Sequence, residues 1–245
     1  MKIITLGTSH GATEVGRACS GTLLMVNGAS YLFDCGGDIE GKMTDLGLAI
    51  KDIRSVFISH MHEDHAGSLS AIAKRFVSYI KTGERVNMYL PEENGITAFK
   101  NWLLALHFSK LKLDKLIFNL IQPGEIYRDE NITVSAIPTQ HLFNGKFPSY
   151  AFVVQAAEKK LLYTGDLACD FHDYPQIVFE EDFDAIVCEL VHFDVENNLE
   201  TISKSRTKKL IFTHMAPRNI PTIKNNEEKF PFPVYIAEDC MPFEV

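Results

Sequence analysis

The sequence predicts a layered α/β fold with mixed sheets. Three observations carry this: apolar runs of strand length that end in a polar residue, amphipathic helical stretches between them, and an early hairpin. The opening "KIITLGTSH" is the first such run. "GTLLMVNGASYLFDCGG" reads as the hairpin, two β-rich runs around Asn27-Gly28, a strong two-residue turn signal. Residues 38–48 read as helix, and "VFIS" then runs up to His60. Beyond His65, Leu69, Ile72, Ala73 and Phe76 recur at i, i+3, i+4 and i+7, one face of an amphipathic helix. Residues from about 92 to 108 also read as helix, with Pro91 where a first helical turn tolerates it. "KLLYTGD" ends at Asp166, "DAIVCE" at Glu189 and "KLIFTH" at His214. No linker or low-complexity segment divides the chain, so a single domain over residues 1–245 is expected.

Charge and composition narrow the function classes. A net charge of −8 argues against broad, sequence-blind binding to nucleic acid or an anionic membrane, both of which call for a basic surface. Cysteines at 19, 35, 169, 188 and 240 are odd in number, widely spaced and without a C-x-x-C pair. A disulfide framework or thiolate zinc ribbon is therefore not expected. "MKIITLG" is too short an apolar stretch for a signal peptide, and no window has the length of a spanning helix. A cytoplasmic location with no membrane partner is the expectation.

"SVFISHMHEDHAGSL" concentrates costly polar chemistry at the end of a buried strand. In an extended or tightly turning exit, i and i+2 side chains share a side, so His60 and His62 can reach one ion. Asp64 and His65 fall where the next helix begins and point elsewhere, toward a second ion. Neutral imidazoles and carboxylates suit zinc and comparable divalent metals. Burying such a set without a metal or dense hydrogen bonding would be expensive. "FISHM" and "FTHM" repeat the order strand, hydroxyl residue, histidine, methionine, which suggests that two distant strand ends deliver histidines to one place.

His60, His62, Asp64 and His65 form an H-x-H-x-D-H motif that resembles the metallo-β-lactamase superfamily. The family's remaining ligand positions follow in order, His141 in "PTQH", Asp166 in "YTGD" and His214 in "IFTH", and "FDCG" matches a further landmark. The resemblance covers essentially the whole chain. It implies an αββα four-layer sandwich with two mixed β-sheets and a two-metal site at one edge. His60, His62 and His141 would hold the first ion, Asp64, His65 and His214 the second, with Asp166 bridging. Zinc is the expected metal, and manganese and iron suit the same donors. A cation pair supplies a nucleophile from water at neutral pH and neutralises charge growing on the attacked group. Asp64 is also placed to hold the nucleophile or accept its proton. Asp34 is expected to orient a ligand or loop, and Cys35 to be a small buried filler.

Aspartate rather than cysteine at the bridging position is unlike the antibiotic-degrading members; it fits phosphodiesterases, glyoxalase II and lactonases. "GRACSG" with Arg17 resembles the early arginine segment of ribonuclease Z, and "HMAPR" places Arg218 four residues after His214 as in that family. A guanidinium there could grip a phosphate oxygen, or sit as a surface cation. The chain departs from ribonuclease Z in two ways. Only "LFNGKFPSYAFVVQAAEKKLLYTG" separates His141 from Asp166, too short for the arm that clamps transfer RNA. The His-Glu pair expected after the bridging aspartate reads Cys188-Glu189, leaving His192 as the substitute general acid or as an ordinary loop residue.

The expected function is therefore a dinuclear metal hydrolase, a phosphodiesterase on a small cyclic or nucleotide phosphodiester. The rivals are a transfer-RNA 3′-processing endonuclease, a thioester or lactone hydrolase with the same site, and a metal-bound sensor without turnover. Nucleic acid is a partner class left open and not favoured, and a homodimer is left open. His10 either lines the cleft or lies on the surface, and His107 and His172 are expected to be structural. Lys204, Arg206, Lys208 and Lys209 read as a solvated face. The apolar stretch 103–121 reads as core helix plus strand, with a lid or dimer surface second.

Overall fold

The computed structural model describes residues 1–12, 14–79 and 84–245. In chain order its strands are β1 (Lys2–Gly7), β2 (Gly21–Val26), β3 (Ala29–Phe33), β4 (Ile53–Phe57), β5 (Val86–Leu90), β6 (Leu116–Leu120), β7 (Gly124–Arg128), β8 (Thr133–Pro138), β9 (Tyr150–Ala156), β10 (Lys159–Tyr163), β11 (Ala185–Leu190), β12 (Leu210–Met215), β13 (Val234–Ile236) and β14 (Met241–Glu244). They form two seven-stranded sheets, ordered β14-β1-β2-β3-β4-β5-β6 and β13-β12-β11-β10-β9-β8-β7. Both are mixed: β3 to β6 run parallel in the first and β10 to β13 in the second, and the remaining neighbours are antiparallel. The early hairpin is as expected, with Asn27 (φ 52°) and Gly28 (φ 81°) both left-handed, the geometry that matches a two-residue loop to strand twist.

Alternation along the strands builds the layers. In β2 to β4, Leu23, Leu32 and Val56 face the outer helices, while Leu24, Tyr31, Phe33 and Phe57 face the other sheet. Phe33 stacks on Phe57 and Phe57 on Tyr89, each pair 5.0 Å between centroids. Each buried ring contributes about 1.5–3 kcal/mol of transfer free energy. Outside the first sheet lie α1 (Ile39–Asp45), α2 (Glu63–Ala66), α3 (Leu69–Tyr79), α4 (Glu93–Ala105) and α5 (Lys110–Leu113). Ile39, Met43, Leu69, Ile72, Phe76, Ile96 and Leu103 seal this outer core. Outside the second sheet lie α6 (Ile177–Glu180), α7 (Val195–Ser203) and α8 (Ile220–Lys224), which supply Val178, Leu199, Ile202 and Ile223. The result is the αββα four-layer sandwich.

Residues 103–121 follow the core reading, since Leu103, Leu116 and Ile121 are buried, while Leu104, Leu106 and Leu120 remain exposed along an edge. Among the described residues no helix is long and apolar enough to cross a membrane.

Candidate metal centre

The seven residues singled out by spacing meet at one edge of the two sheets. His60 and His62 leave β4, Asp64 and His65 lie in α2, His141 follows β8, Asp166 follows β10, and His214 is the penultimate residue of β12. Parallel strands direct their carboxyl ends to this edge, the usual location of sites in α/β sheets. Two glycines allow the close approach. A Cβ on Gly36 would stand 1.9 Å from the Asp64 carbonyl oxygen, and one on Gly165 (φ 57°) would stand 2.7 Å from that of Tyr150 and 2.9 Å from Ser59 Cβ. Neither position admits a side chain without moving backbone.

One carboxylate oxygen sits at the centre. Asp166 Oδ2 lies 3.6 Å from His60 Nε2, 3.3 Å from His65 Nε2, 3.6 Å from His141 Nε2 and 3.5 Å from His214 Nε2. Among the described residues three overlapping groups of donors form: His60, His62, His141 and Asp166; Asp64, His65 and His214; and Asp166, His214 and His192. His62, the exposed member, is held by its ring 4.6 Å from that of His60 and 5.2 Å from that of His141.

Four imidazoles are fixed from behind. His141 Nδ1 donates to the Leu167 carbonyl at 3.2 Å and His214 Nδ1 to that of Ser9 at 2.9 Å. His65 Nδ1 donates to Asp34 Oδ2 at 2.7 Å. Ser59 Oγ donates to the same Asp34 oxygen at 2.8 Å, so it receives His60 Nδ1 at 3.0 Å as acceptor. With these four Nδ1 atoms engaged from behind, their Nε2 atoms turn to the centre. Among the described residues, His60, His65 and His141 Nε2 and Asp166 Oδ1 are buried without a hydrogen-bond partner. Buried polar atoms are rarely left so, and divalent cations bound at this edge would satisfy all four. The donor set fits the ions.

The charges agree. Burial and the neighbouring His65 keep the His60 imidazole well below its usual range. Burial alone would raise Asp64 and Asp166, but the adjacent histidines outweigh it and hold both carboxyls well below theirs. His65 moves the other way, because Asp166 and Asp34 overcome its burial. Asp34 itself is fully buried, left-handed (φ 57°), and also receives Ser59 N at 2.7 Å and the Tyr163 hydroxyl at 2.8 Å.

His192 comes to the centre. Its Nδ1 lies 3.6 Å from Asp166 Oδ2 and 3.0 Å from each Glu189 oxygen, and its ring is 4.4 Å from that of His141. Burial lowers its pKa, yet Glu189 more than compensates and pushes it up to about 9. Arg218, exposed after β12, lines with His192 a cavity of about 380 Å³ that also takes in Asp194, Glu196, Asn219 and Thr222. Cys188 is fully buried in the outer core of the second sheet, away from the centre, so the expected His-Glu pair is rebuilt as His192 with Glu189. Sequence reasoning missed Glu189's role and that of Ser59. The signal available was the "ELVH" spacing, three residues apart across a strand end.

Arg17 is not turned to the cleft: its guanidinium donates to the carbonyls of Thr8 and Met215 and pairs with Glu14 at 2.6 Å. His10 pairs with Glu14, His172 with Asp170, and His107 is exposed at the end of α4. Lys204, Arg206 and Lys208 are paired with Glu200, Asp182 and Asp184, and Lys209 donates to the Glu244 carbonyl, a solvated face as expected.

Comparison with known proteins identifies a family and a fold. The family described as anti-Pycsar protein Apyc1 matches residues 1–232. A ribonuclease Z from Methanocaldococcus jannaschii is 26% identical over 162 residues, 66% of this chain and 50% of that protein. The chain thus spans about half the length of the curated relatives it matches. Among solved structures, the metallo-β-lactamase fold protein YhfI from Bacillus subtilis superposes with a TM-score of 0.79 at 20% identity, covering 99% of each chain. The short form of human tRNase Z gives 0.74 at 19% identity, over 100% of this chain and 99% of that one. A diphosphatase of the PhnP family gives 0.74 at 17%, over 100% and 97%. The fold is that of the metallo-β-lactamase superfamily.

Proposed function

The chain belongs to the anti-Pycsar protein Apyc1 family, and from that premise we propose that it is a metal-dependent hydrolase that cleaves a small cyclic or nucleotide phosphodiester. The observation that carries this reading is the cavity shared by His192 and Arg218, from which His192 reaches to 3.6 Å of Asp166. A guanidinium and a proton-bearing imidazole are what a phosphodiester asks for, one for a non-bridging oxygen and one for the leaving oxygen. The ribonuclease Z relatives and the diphosphatase neighbour add support, since their names concern phosphate esters and anhydrides.

His60, His62 and His141 would hold one ion, Asp64, His65 and His214 the other, with Asp166 between them. Bound there, two zinc ions supply a nucleophile from water at neutral pH and neutralise the phosphate. His192 keeps Nδ1 on Glu189, which leaves Nε2–H to protonate the alkoxide that departs. Arg218 holds a phosphate oxygen and sets the leaving group toward His192. Asp64, kept ionised by His65, orients the attacking water rather than carrying its proton away. The test is turnover of cyclic mononucleotides and bis-p-nitrophenyl phosphate against panels of acyl thioesters and lactones. Activity confined to the acyl substrates would overturn the reading.

A second reading, a ribonuclease Z-like endonuclease, is favoured by the named relatives. Against it, residues 142–149 alone join His141 to β9, with no arm for transfer RNA. Cleavage of a precursor transfer RNA at its 3′ side by nanomolar protein would make this the leading function.

A further inference from the structure

Asp239 lies far from the metal ligands in sequence, on the segment that crosses from β13 in the second sheet to β14 in the first. Its carboxylate is 7% exposed. Oδ1 accepts Thr8 N at 3.0 Å and Thr8 Oγ1 at 2.8 Å, and Oδ2 accepts Ala18 N at 2.6 Å and pairs with Lys42 at 3.0 Å. These bonds hold the turn that leaves β1. The same turn meets β12 at the cleft: Met215 N donates to the Thr8 carbonyl at 2.9 Å, and His214 Nδ1 donates to the Ser9 carbonyl at 2.9 Å. Arg17 closes the far side, with Nε on Thr8 Oγ1 at 3.2 Å and its fork on the Thr8 and Met215 carbonyls.

His214 needs such a clamp. It is left-handed (φ 46°), a conformation uncommon for residues with a side chain although histidine enters it more readily than most. Among the described residues the ring is held from behind by the Ser9 carbonyl, a loop atom, whereas His65 is braced directly by a carboxylate. We propose that Asp239 and Arg17 act as positioning residues for His214, fixing the Thr8–Ser9 carbonyls so that the ring presents Nε2 to the second cation. The inference rests on the two-ion reading of the centre and not on the phosphodiester substrate.

Zinc titration of the purified full chain, followed by calorimetry and by metal content after dialysis, tests it. The parent takes up two equivalents. Asp239→Ala and the milder Asp239→Asn lose affinity for one of the two by about 10- to 100-fold, the scale set by groups that orient ligands, and keep the other. Arg17→Met does the same. Asp184→Ala is the matched control: that carboxylate is 8% exposed, accepts Lys160 N at 2.9 Å and pairs with Lys208 at 2.7 Å. It lies at the opposite end of the second sheet's strands, so its loss lowers the melting temperature while both zinc affinities stay. Should Asp239→Ala fail to fold, Asp239→Asn carries the result. Two undiminished equivalents in the Asp239 variants, or the same zinc lost in Asp184→Ala, overturns the clamp. Fewer than two equivalents in the parent overturns the two-ion reading beneath it.

Discussion

Asp34 Oδ2 stands 2.7 Å from His65 Nδ1 and takes the Ser59 hydroxyl, which in turn receives His60 Nδ1. One buried carboxylate therefore sets the ring orientation of a ligand in each half of the centre. Asp34→Ala should weaken both zinc affinities by about 10- to 100-fold. Because it leaves Ser59 N and the Tyr163 hydroxyl buried and unmatched, it should also destabilise the fold by about 2–4 kcal/mol. Calorimetric zinc titration and denaturant melts measure the two effects. A variant that loses stability and keeps both affinities would leave Asp34 a fold residue alone.

The His192–Glu189 pair predicts a pH profile. Glu189 raises the imidazole to about 9, so the proton-bearing form persists through neutral pH and is lost as pH rises through that value. The pair's contribution to folding follows the same sign: present in full below the ordinary histidine value, gone above about 9. The alkaline limb of the rate should lie near there, and Glu189→Gln should move it to lower pH. His192→Ala should cost about 10²- to 10⁴-fold in kcat with little change in KM. Profiles on a cyclic nucleotide decide it; an unmoved limb in Glu189→Gln would assign the proton to another donor.

Arg218 separates substrate classes. Losing a charge-assisted bond of about 1.5–3 kcal/mol lowers kcat/KM by roughly 10- to 150-fold. Arg218→Met should show that loss on phosphodiesters, and Arg218→Lys should recover only part of it, since a point charge lacks the fork. On acyl thioesters neither variant should differ from the parent. Equal losses on both classes would mean that Arg218 shapes the cavity rather than holds phosphate.

The convergence of the candidate ligands was legible because they are local or sit at strand ends. His60, His62, Asp64 and His65 fall within one strand exit, and Asp166 and His214 each close an apolar run whose length is visible in letters. What supports the ligands was hidden, for a physical reason: it depends on which chain passes behind each ring. Ser59 reads as one more serine until Asp34, 25 residues earlier, is folded against it. Glu189 looked like half of a missing pair because its histidine lies three residues on, reached by the turn after β11. The repeated strand-end pattern also overstated symmetry. Ser59 Oγ bridges two side chains, whereas Thr213 Oγ1 is buried without a partner among the described residues.

Metal removal is the broadest test of the centre. Without cations, His60, His65 and His141 Nε2 and Asp166 Oδ1 are buried with no hydrogen-bond partner among the described residues. An ion present at about 100 times its dissociation constant stabilises the folded state by about 2.7 kcal/mol. For a chain of this size each kcal/mol moves the melting temperature by about 2–4 °C. Two such ions add about 5.4 kcal/mol, so chelated protein should melt roughly 10–20 °C lower and regain that difference when both zinc sites are filled, with activity returning only at the second. His214→Ala, which removes a ligand to one ion only, should stop at a single equivalent with a smaller rise. Full activity and an unshifted melting curve in the chelated protein would dismiss the metal centre altogether.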